Sequence, residues 1–434
     1  MNLITLSWKN LTSKPWMTLL SVVLFALGVG LISILFLLEH QLQEKFEKNL
    51  AGIDLVVGAK GSPLQLILSS MYHIDAPTGN ISLKEARPFL NPKHPLIASA
   101  VPLSMGDSYR AYRIVGTTHD FIDLYEAEIA TGKIWDQNFE VTIGHAVAMD
   151  LGLDIGDKFK SSHGLLDDDD FAHDDAEPFV VVGIIKPTGS VIDQLILCTP
   201  QSFWLIHDHQ GEDLNSKSQI PNSKSQIPRR SSIIDHPASI IQHPASLLDE
   251  DPDKQITALL LKFKGKSYQA LNMQRNINKN TEMQAATPAI EITRLFNLMD
   301  AGEQALRILA MVIIFVSGLS VFISLYSSLR DRRYELALMR VSGASPVQLF
   351  ILIIMEGLIL AIVGYAFGML LSHGGMQFFA GVMKASNRYS FSGLQFLPGE
   401  LYLLFGALAI GFVAAVLPAI QASRTDISET LAEG

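Results

Sequence analysis

Residues 330–346 read Arg-Asp-Arg-Arg-Tyr-Glu-Leu-Ala-Leu-Met-Arg-Val-Ser-Gly-Ala-Ser-Pro. Two long apolar runs flank them, Leu306–Leu329 before and Val347–Leu371 after. Each run can cross a hydrocarbon core of about 30 Å, which takes about 20 helical residues. The arginines of this stretch outnumber its two acids, and short basic loops stay in the cytoplasm. The pattern therefore predicts a cytoplasmic loop between two membrane spans.

The loop also has a helical pattern of its own. Tyr334, Leu338 and Val341 recur at i, i+4 and i+7, which places them on one face of a helix. Gly343 is placed to end that helix. Two interpretations remain open from the residues alone. The helix either connects two spans at the membrane surface, or it docks into an apolar groove of a cytoplasmic partner.

The run Arg332–Arg340, followed by Gly343-Ala-Ser345, resembles the loop of ABC-transporter permeases of the MacB/FtsX-like class, also called type VII or mechanotransmission permeases. The resemblance implies a coupling helix that contacts a cytoplasmic ABC ATPase. The ATPase-coupling residues that it implies are Arg332, Arg333, Glu335, Leu338, Met339, Arg340 and Gly343.

The composition is that of a membrane protein with a large polar block. The chain has 434 residues and a formal net charge of -10, and nothing in it reads as a nucleic-acid-binding motif. Most of the acidic excess lies in the block from about Glu39 to Gln304. The single cysteine, Cys198, lies in an apolar strand pattern, which predicts a buried core residue.

The apolar runs predict four transmembrane helices with an α/β periplasmic domain between the first and the second. The run Met17–Leu38 is longer than the apolar part of a signal peptide and lacks a small-residue cleavage site, so we expect a retained span. Helix-forming residues continue beyond the first span and precede the second, which predicts a protruding stalk. The predicted segments are 1–16 cytoplasmic, 17–38 first span, 39–304 periplasmic domain with stalk helices, 305–329 second span, 330–346 coupling helix, 347–371 third span, 372–399 periplasmic loop, 400–421 fourth span and 422–434 cytoplasmic.

Within the polar block, alternating and apolar patterns predict strands at 54–57, 97–101, 112–115, 179–185, 194–198 and 256–263, with helices at 83–90, 146–151 and 267–278. Residues 143–157 and 179–189 resemble the periplasmic core domain of the same permeases. Pro418–Arg424 and the Asp426-Ile-Ser-Glu429 run resemble their C-terminal signature, with a capping box that predicts a short helix. Ile427 stands where the family commonly has proline.

Residues 211–252 depart from the family. A seven-residue run at 215–221 repeats at 222–228, and the run Asp235-His-Pro-Ala-Ser239 is echoed at 242–246. The composition is polar and proline-bearing, which favours a disordered insertion.

Small residues form a stripe along the third span that includes Gly357, Gly364 and Gly368. Such stripes let membrane helices approach closely, either within the chain or between two permeases. Glu356 is an ionisable residue in the same span, so we expect it to have an internal partner near the cytoplasmic side.

The chain lacks a G-x-x-x-x-G-K-[ST] motif, and Gly58-Ala-Lys-Gly-Ser62 has the wrong spacing for one. We therefore expect no ATPase site here, with ATP and magnesium bound by the partner subunit. A His/Asp-rich run contains His163, Asp167–Asp170 and His173. We expect no metal site; His163 and His173 are weak candidates for zinc, and a solvated acidic loop is the alternative.

The resemblance implies a permease subunit in the bacterial inner membrane that couples a separate ATPase to movement of its periplasmic domain, for export, lipoprotein extraction or efflux. Its expected partners are the ATPase, a second permease subunit in a homodimer or heterodimer, a periplasmic adaptor or lipoprotein, and the lipid bilayer. The alternative is a transmembrane regulator that moves no cargo and activates periplasmic partners such as cell-wall hydrolases.

Overall fold

The computed structural model describes residues 3–13, 15–163, 177–206, 241–265, 267–385 and 391–424. The chain divides into two compact units, which are described separately. The first, called the membrane unit here, comprises residues 1–43 and 298–434. The second, the soluble unit, comprises residues 44–297.

The helices are numbered in chain order. They are α1 Leu3–Thr12, α2 Pro15–Leu50, α3 Pro63–Ser70, α4 Leu83–Leu90, α5 Asp120–Leu124, α6 His145–Leu151, α7 Tyr268–Asn280, α8 Pro288–Asp331, α9 Arg333–Val341, α10 Pro346–Ala385 and α11 Pro398–Ser423.

Four of the described helices, α2, α8, α10 and α11, are long and apolar enough to cross a membrane. The helix α2 has 36 residues and α8 has 44, which correspond to about 54 Å and about 66 Å. Both are longer than a single crossing needs. Each contains an expected span and its expected helical extension without a break.

The third span is longer than the sequence pattern predicts. Residues 372–399 were expected to form a loop, but α10 continues helically to Ala385, and α11 begins at Pro398. Small and polar residues such as Ser372 and His373 lower the local apolarity without breaking the helix, so the hydrophobic pattern ends before the helix does. The expected C-terminal capping box at Asp426 and Glu429 lies outside the described residues.

The helix α1 was not predicted. Its buried side chains, Ser7 and Leu11, pack against α10 with Leu6 partly buried beside them. Trp8, in the middle of α1, is exposed, and so is Trp16 at the start of α2. This combination of a packed face and exposed tryptophans is typical of a helix at a membrane interface.

The strands of the soluble unit are β1 Leu55–Ala59, β2 Ile81–Ser82, β3 Ile97–Tyr109, β4 Tyr112–Gly116, β5 Ile129–Gly132, β6 Glu140–Ile143, β7 Lys158–Phe159, β8 Ser162–His163, β9 Phe179–Ile185, β10 Leu195–Cys198, β11 Gln255–Ile256, β12 Ala258–Phe263 and β13 Met283–Ala286. Among the described residues, eleven of them form one mixed sheet with the path β13-β1-β12-β3-β4-β10-β6-β9-β5; β7 pairs with β9, and β8 with β3. The β4–β10 and β6–β9 pairs are parallel.

Successive residues of a strand face opposite sides of the sheet and belong to two different hydrophobic clusters. On β1, Val56 belongs to the cluster around Trp135 and Phe121, whereas Leu55 and Val57 belong to a second cluster on the other face. A sheet with two buried faces explains why its central strands read as continuous apolar runs. Cys198 is fully buried at the end of β10, as the sequence predicts.

Part of the expected insertion is ordered. Residues 207–240 lie outside the described part of the chain, but residues 241–252 pack on the soluble unit. Ile241 and Leu247 are fully buried, and the Arg87 guanidinium donates to the Glu250 carbonyl at 2.7 Å. The prediction of disorder was therefore wrong for 241–252, because buried apolar side chains and hydrogen bonds to neighbouring elements hold this polar segment.

Candidate functional site

The loop helix α9 packs one face on the membrane unit. Leu336 is buried in the same cluster as Leu325 and Leu329 at the end of α8, and the next residue, Ala337, is fully buried. Met339 is partly buried against that cluster. These buried residues define the face of α9 that packs against the other helices of the membrane unit.

An ion pair fixes the start of α9. The Arg332 guanidinium donates to both carboxylate oxygens of Glu356 on α10, each at 3.2 Å. Asn10 of α1 donates to Glu356 Oε1 at 2.7 Å. The Glu356 side chain is 1% exposed and that of Arg332 is 12% exposed. One buried carboxylate therefore joins α1, α10 and the residue that precedes α9.

A second tether holds the end of α9. Arg340 donates to the backbone carbonyl of Ser423, at the C-terminal end of α11, at 3.2 Å. The helix stops at Val341, and Gly343 has φ +98°, a conformation that side-chain-bearing residues rarely adopt. The prediction that Gly343 ends the helix is confirmed.

The outer face of α9 is exposed. Its apolar residues Tyr334, Leu338 and Val341 are 50%, 47% and 63% exposed, and the charged residues Arg333 and Glu335 are exposed beside them. We call these five residues the loop face. Their helical spacing, i, i+4 and i+7 for the apolar three, is the arrangement by which a helix enters a groove of a partner.

The residues expected to couple to an ATPase thus fall into two groups. Arg333, Glu335 and Leu338 lie on the loop face, and Gly343 is exposed just beyond it. Arg332, Met339 and Arg340 contact the membrane unit of their own chain. The sequence pattern does not separate these groups, because the residues of both alternate within one short stretch of chain.

The glycine stripe of α10 is filled by helices of the same chain. An atom added at the Cβ position of Gly357 would lie 2.6 Å from Ala415 Cβ on α11. At Gly364 it would lie 2.9 Å from Phe25 Cβ, and at Gly368 2.9 Å from the Ala26 carbonyl, both on α2. These three glycines therefore permit close packing of α10 against α11 and α2.

Sequence reasoning missed Asn10 and the helix that carries it. A signal was present: apolar residues recur through residues 3–12, and no Gly or Pro interrupts them. The contact of Asn10 with Glu356 explains why a polar residue stands at position 10.

The weak metal candidates are not brought into a described site. The side chain of His163 and all of His173 lie outside the described residues. Within the described part of the chain, no group of three or more His, Cys, Asp or Glu residues could hold a metal ion.

The fold and this site define a class: a multi-pass membrane protein with a mixed α/β domain and an exposed loop helix between its second and third spans. A model of the FtsX-like permease C-terminal region matches residues 307–427, and a model of the MacB-like periplasmic core domain matches residues 18–219. The chain belongs to the MacB/FtsX-like permease family, and the predicted fold class is confirmed. No curated protein matches it.

Solved structures similar to this chain include the following two. The periplasmic region of MacB from Actinobacillus actinomycetemcomitans shares 11% identity and covers 58% of this chain and 98% of its own, with a TM-score of 0.31. A domain of a putative permease protein from Porphyromonas gingivalis shares 13% identity and covers 55% and 88%, with a TM-score of 0.24. Family membership rests on the two family models.

Proposed function

We propose that this chain is the membrane subunit of an ABC transporter that works by mechanotransmission in the bacterial inner membrane. A separate cytoplasmic ATPase, which binds ATP and magnesium, contacts the loop face of α9. The observation that carries this proposal is the geometry of α9: both ends are tethered to the membrane unit, while the side between them is exposed and apolar at its centre.

The tethers give a physical reason for coupling. A push on the loop face is transmitted through Arg332 to Glu356 on α10 and through Arg340 to the end of α11. An exposed loop without such contacts would yield to the push instead. The uninterrupted helices α2 and α8 support a stalk that carries motion beyond the membrane.

The test is co-purification of the tagged full-length chain from its native membrane, with identification of any bound ATPase. We expect an ABC ATPase with the wild type and a loss of at least tenfold with Leu338→Asp, which places a charge in the centre of an apolar contact. Leu271→Asp is the matched control, since Leu271 is a leucine on the exposed side of α7, 73% exposed. It should retain the ATPase.

Two outcomes would contradict the proposal. If no ATPase binds the wild type, the loop helix is only a connection at the membrane surface. If Leu338→Asp and Leu271→Asp retain the ATPase equally, the contact lies elsewhere. A bound ATPase together with a cell-wall hydrolase, and no transported substrate, would favour the regulatory alternative.

A further inference from the structure

Gln41, on the part of α2 that extends beyond the predicted first span, binds the segment 391–397 that leads into α11. Its side-chain Nε2 donates to the Ser392 carbonyl at 2.8 Å, and its Oε1 accepts the Ser392 N–H at 2.9 Å. The Gln41 side chain is buried, so water competes little for either hydrogen bond. One side-chain amide therefore binds both backbone groups of a single residue.

The next residue ties the same segment to α10. Gly393 N–H donates to Gln377 Oε1 at 3.0 Å, and His373 Nδ1 donates to the Gly393 carbonyl at 2.6 Å. A Cβ atom at Gly393 would lie 2.8 Å from the Gln377 backbone nitrogen, so the segment packs closely on α10. The helix α11 begins directly after the segment, at Pro398. The segment is therefore held by the helix pair α10–α11 on one side and by α2 on the other.

The position of α2 in the chain gives this contact its importance. The loop helix α9 follows α8 almost directly, whereas the whole soluble unit separates α2 from α9 in sequence. Motion of α9 therefore reaches α2 through packing and hydrogen bonds. The tethers at Glu356 and Ser423 connect α9 to α10 and α11, and the segment 391–397 lies near the other ends of these two helices. Three residues beyond Gln41, α2 enters the soluble unit at Glu44.

The contacts of α2 within the predicted spans are of a different kind. At Gly364 and Gly368, α2 and α10 meet in van der Waals contact, and packed helices can slide past each other by small amounts. Ser33, about 12 Å before Gln41 along α2, has its hydroxyl 2.8 Å from that of Ser372. Both hydroxyl side chains can rotate, so this pair can follow a small shift. The Gln41 amide binds backbone atoms at two points, so a shift along α2 must lengthen at least one of the two hydrogen bonds.

We propose that Gln41 is a positioning residue that makes α2 move together with the helix pair α10–α11. The pair of Gln41 and Ser392 fixes the register between them, and it passes motion of α10–α11 to the helix that enters the soluble unit. The transmission of motion rests on the proposed function. The fixed register is a property of this chain alone and does not depend on an ATPase.

The test measures the distance between two spin labels in the full-length protein in lipid nanodiscs. Introduced cysteines replace Leu20 on α2 and Leu394 in the segment, both exposed, whereas the single cysteine of the sequence, Cys198, is fully buried and shielded from the label. Leu20 lies about 32 Å before Gln41 along α2, so the distance reports sliding along this helix. The doubly labelled protein with Gln41 intact should give one narrow distance distribution. Gln41→Met keeps the side-chain length but forms neither hydrogen bond, and it should at least double the width of the distribution.

Gln377→Met is the matched control. It removes a hydrogen bond to the same segment from the α10 side and leaves both hydrogen bonds of Gln41 in place, so the distribution should keep its width. Gln41→Glu keeps an acceptor for the Ser392 N–H but has no donor for the Ser392 carbonyl, and its distribution should have an intermediate width.

A nucleotide experiment then tests the transmission of motion. In nanodiscs that contain the labelled chain and its co-purified ATPase, ATP, magnesium and vanadate should leave the distance unchanged when Gln41 is intact. In Gln41→Met, the mean distance should shift by about 2 Å or more, because α10–α11 then move without α2.

The outcomes separate the two claims. A broad distribution with Gln41 intact, or equal widths in Gln41→Met and Gln377→Met, would overturn the fixed register. A distance that shifts with nucleotide while Gln41 is intact would overturn it as well, and this measurement needs no variant at position 41. If the widths differ as expected but no ATPase co-purifies, the register is supported and the proposed function fails. If an ATPase co-purifies and the distance in Gln41→Met does not respond to nucleotide, the transmission through Gln41 is wrong.

Discussion

Arg332 and Glu356, which lie 24 residues apart in sequence, form a two-pronged ion pair in which the guanidinium Nη2 is 3.2 Å from each carboxylate oxygen. The pair is almost fully shielded from solvent, with Glu356 1% and Arg332 12% exposed. It anchors the loop helix to the third span. Without Arg332, the Glu356 carboxylate would still carry the free-energy cost of being buried away from water. It would lose the electrostatic attraction that offsets this cost.

The first prediction concerns this pair. Removing one partner by Glu356→Ala or Arg332→Ala should lower the free energy of unfolding by about 3 kcal/mol, because the other charge stays buried without its partner. The double variant should lose less than the sum, with a coupling energy of about 1–3 kcal/mol. Reversible unfolding in mixed micelles measures all four states of the cycle. Additive losses would show that the pair contributes no coupling.

The second prediction concerns the contact between α10 and α11. Gly357→Ala places a methyl group 2.6 Å from Ala415 Cβ and 2.8 Å from the Gly411 carbonyl, where neither neighbour has a flexible end that can move aside. We expect a loss of about 1–3 kcal/mol from overpacking. Thermal unfolding in detergent measures it.

Gly406→Ala is the control for that experiment. Gly406 is a helical glycine of α11 with no atom within 4 Å of an added Cβ. Its replacement should be neutral or stabilising by up to about 1 kcal/mol, because alanine favours helices. If Gly357→Ala and Gly406→Ala changed the stability equally, the packing of α10 against α11 at Gly357 would not be tight.

The third prediction concerns the end of the loop helix. Gly343 has φ +98° and nothing within 4 Å of an added Cβ, so Gly343→Ala tests backbone conformation alone. We expect a cost of about 1–3 kcal/mol. Gly302→Ala, in the helical backbone of α8 and equally uncrowded, should not show this cost. Urea or thermal unfolding measures the stability of both variants. An equal loss of stability in the two would contradict the positive φ assigned to Gly343.

The fourth prediction concerns acid stability of the soluble unit. Burial lowers the pKa of His73 to about 3, with the nearby Arg113 charge acting in the same direction. The native state keeps this imidazole neutral, whereas the unfolded chain protonates it below about pH 6.5. His73 therefore lowers stability as the pH falls from about 6.5 towards 3, by at most about 1.4 kcal/mol per pH unit.

His73→Asn tests this directly. Asparagine tolerates the positive φ of 52° at this position and cannot titrate. Intrinsic fluorescence of the full-length protein during denaturation, at a series of pH values, should show a shallower loss of stability for the variant over this range. Identical slopes would show that His73 is not the group that titrates.

Much of the architecture followed from local patterns. The length of an apolar run determines whether a helix crosses the membrane, and the arginines beside it determine which side the loop takes. Strands such as β9 lie at their predicted residues, because a buried strand needs a continuous apolar run. The sequence pattern did not predict the last turns of α10 or the packing of residues 241–252. Both segments contain polar residues, and contacts with neighbouring elements, which a local pattern does not show, hold them in place.

The sequence by itself determined the four spans, the α/β character of the soluble unit and the helix between Arg332 and Gly343, because each depends on residues close together in the chain. Only the tertiary structure decided which partner Glu356 takes, which helices fill the glycine stripe, and that Gln41 binds Ser392. Asn10 and Glu356 are 346 positions apart, and no local pattern encodes a contact over that distance. Such pairs form because a buried polar group must find a partner wherever packing brings one within reach.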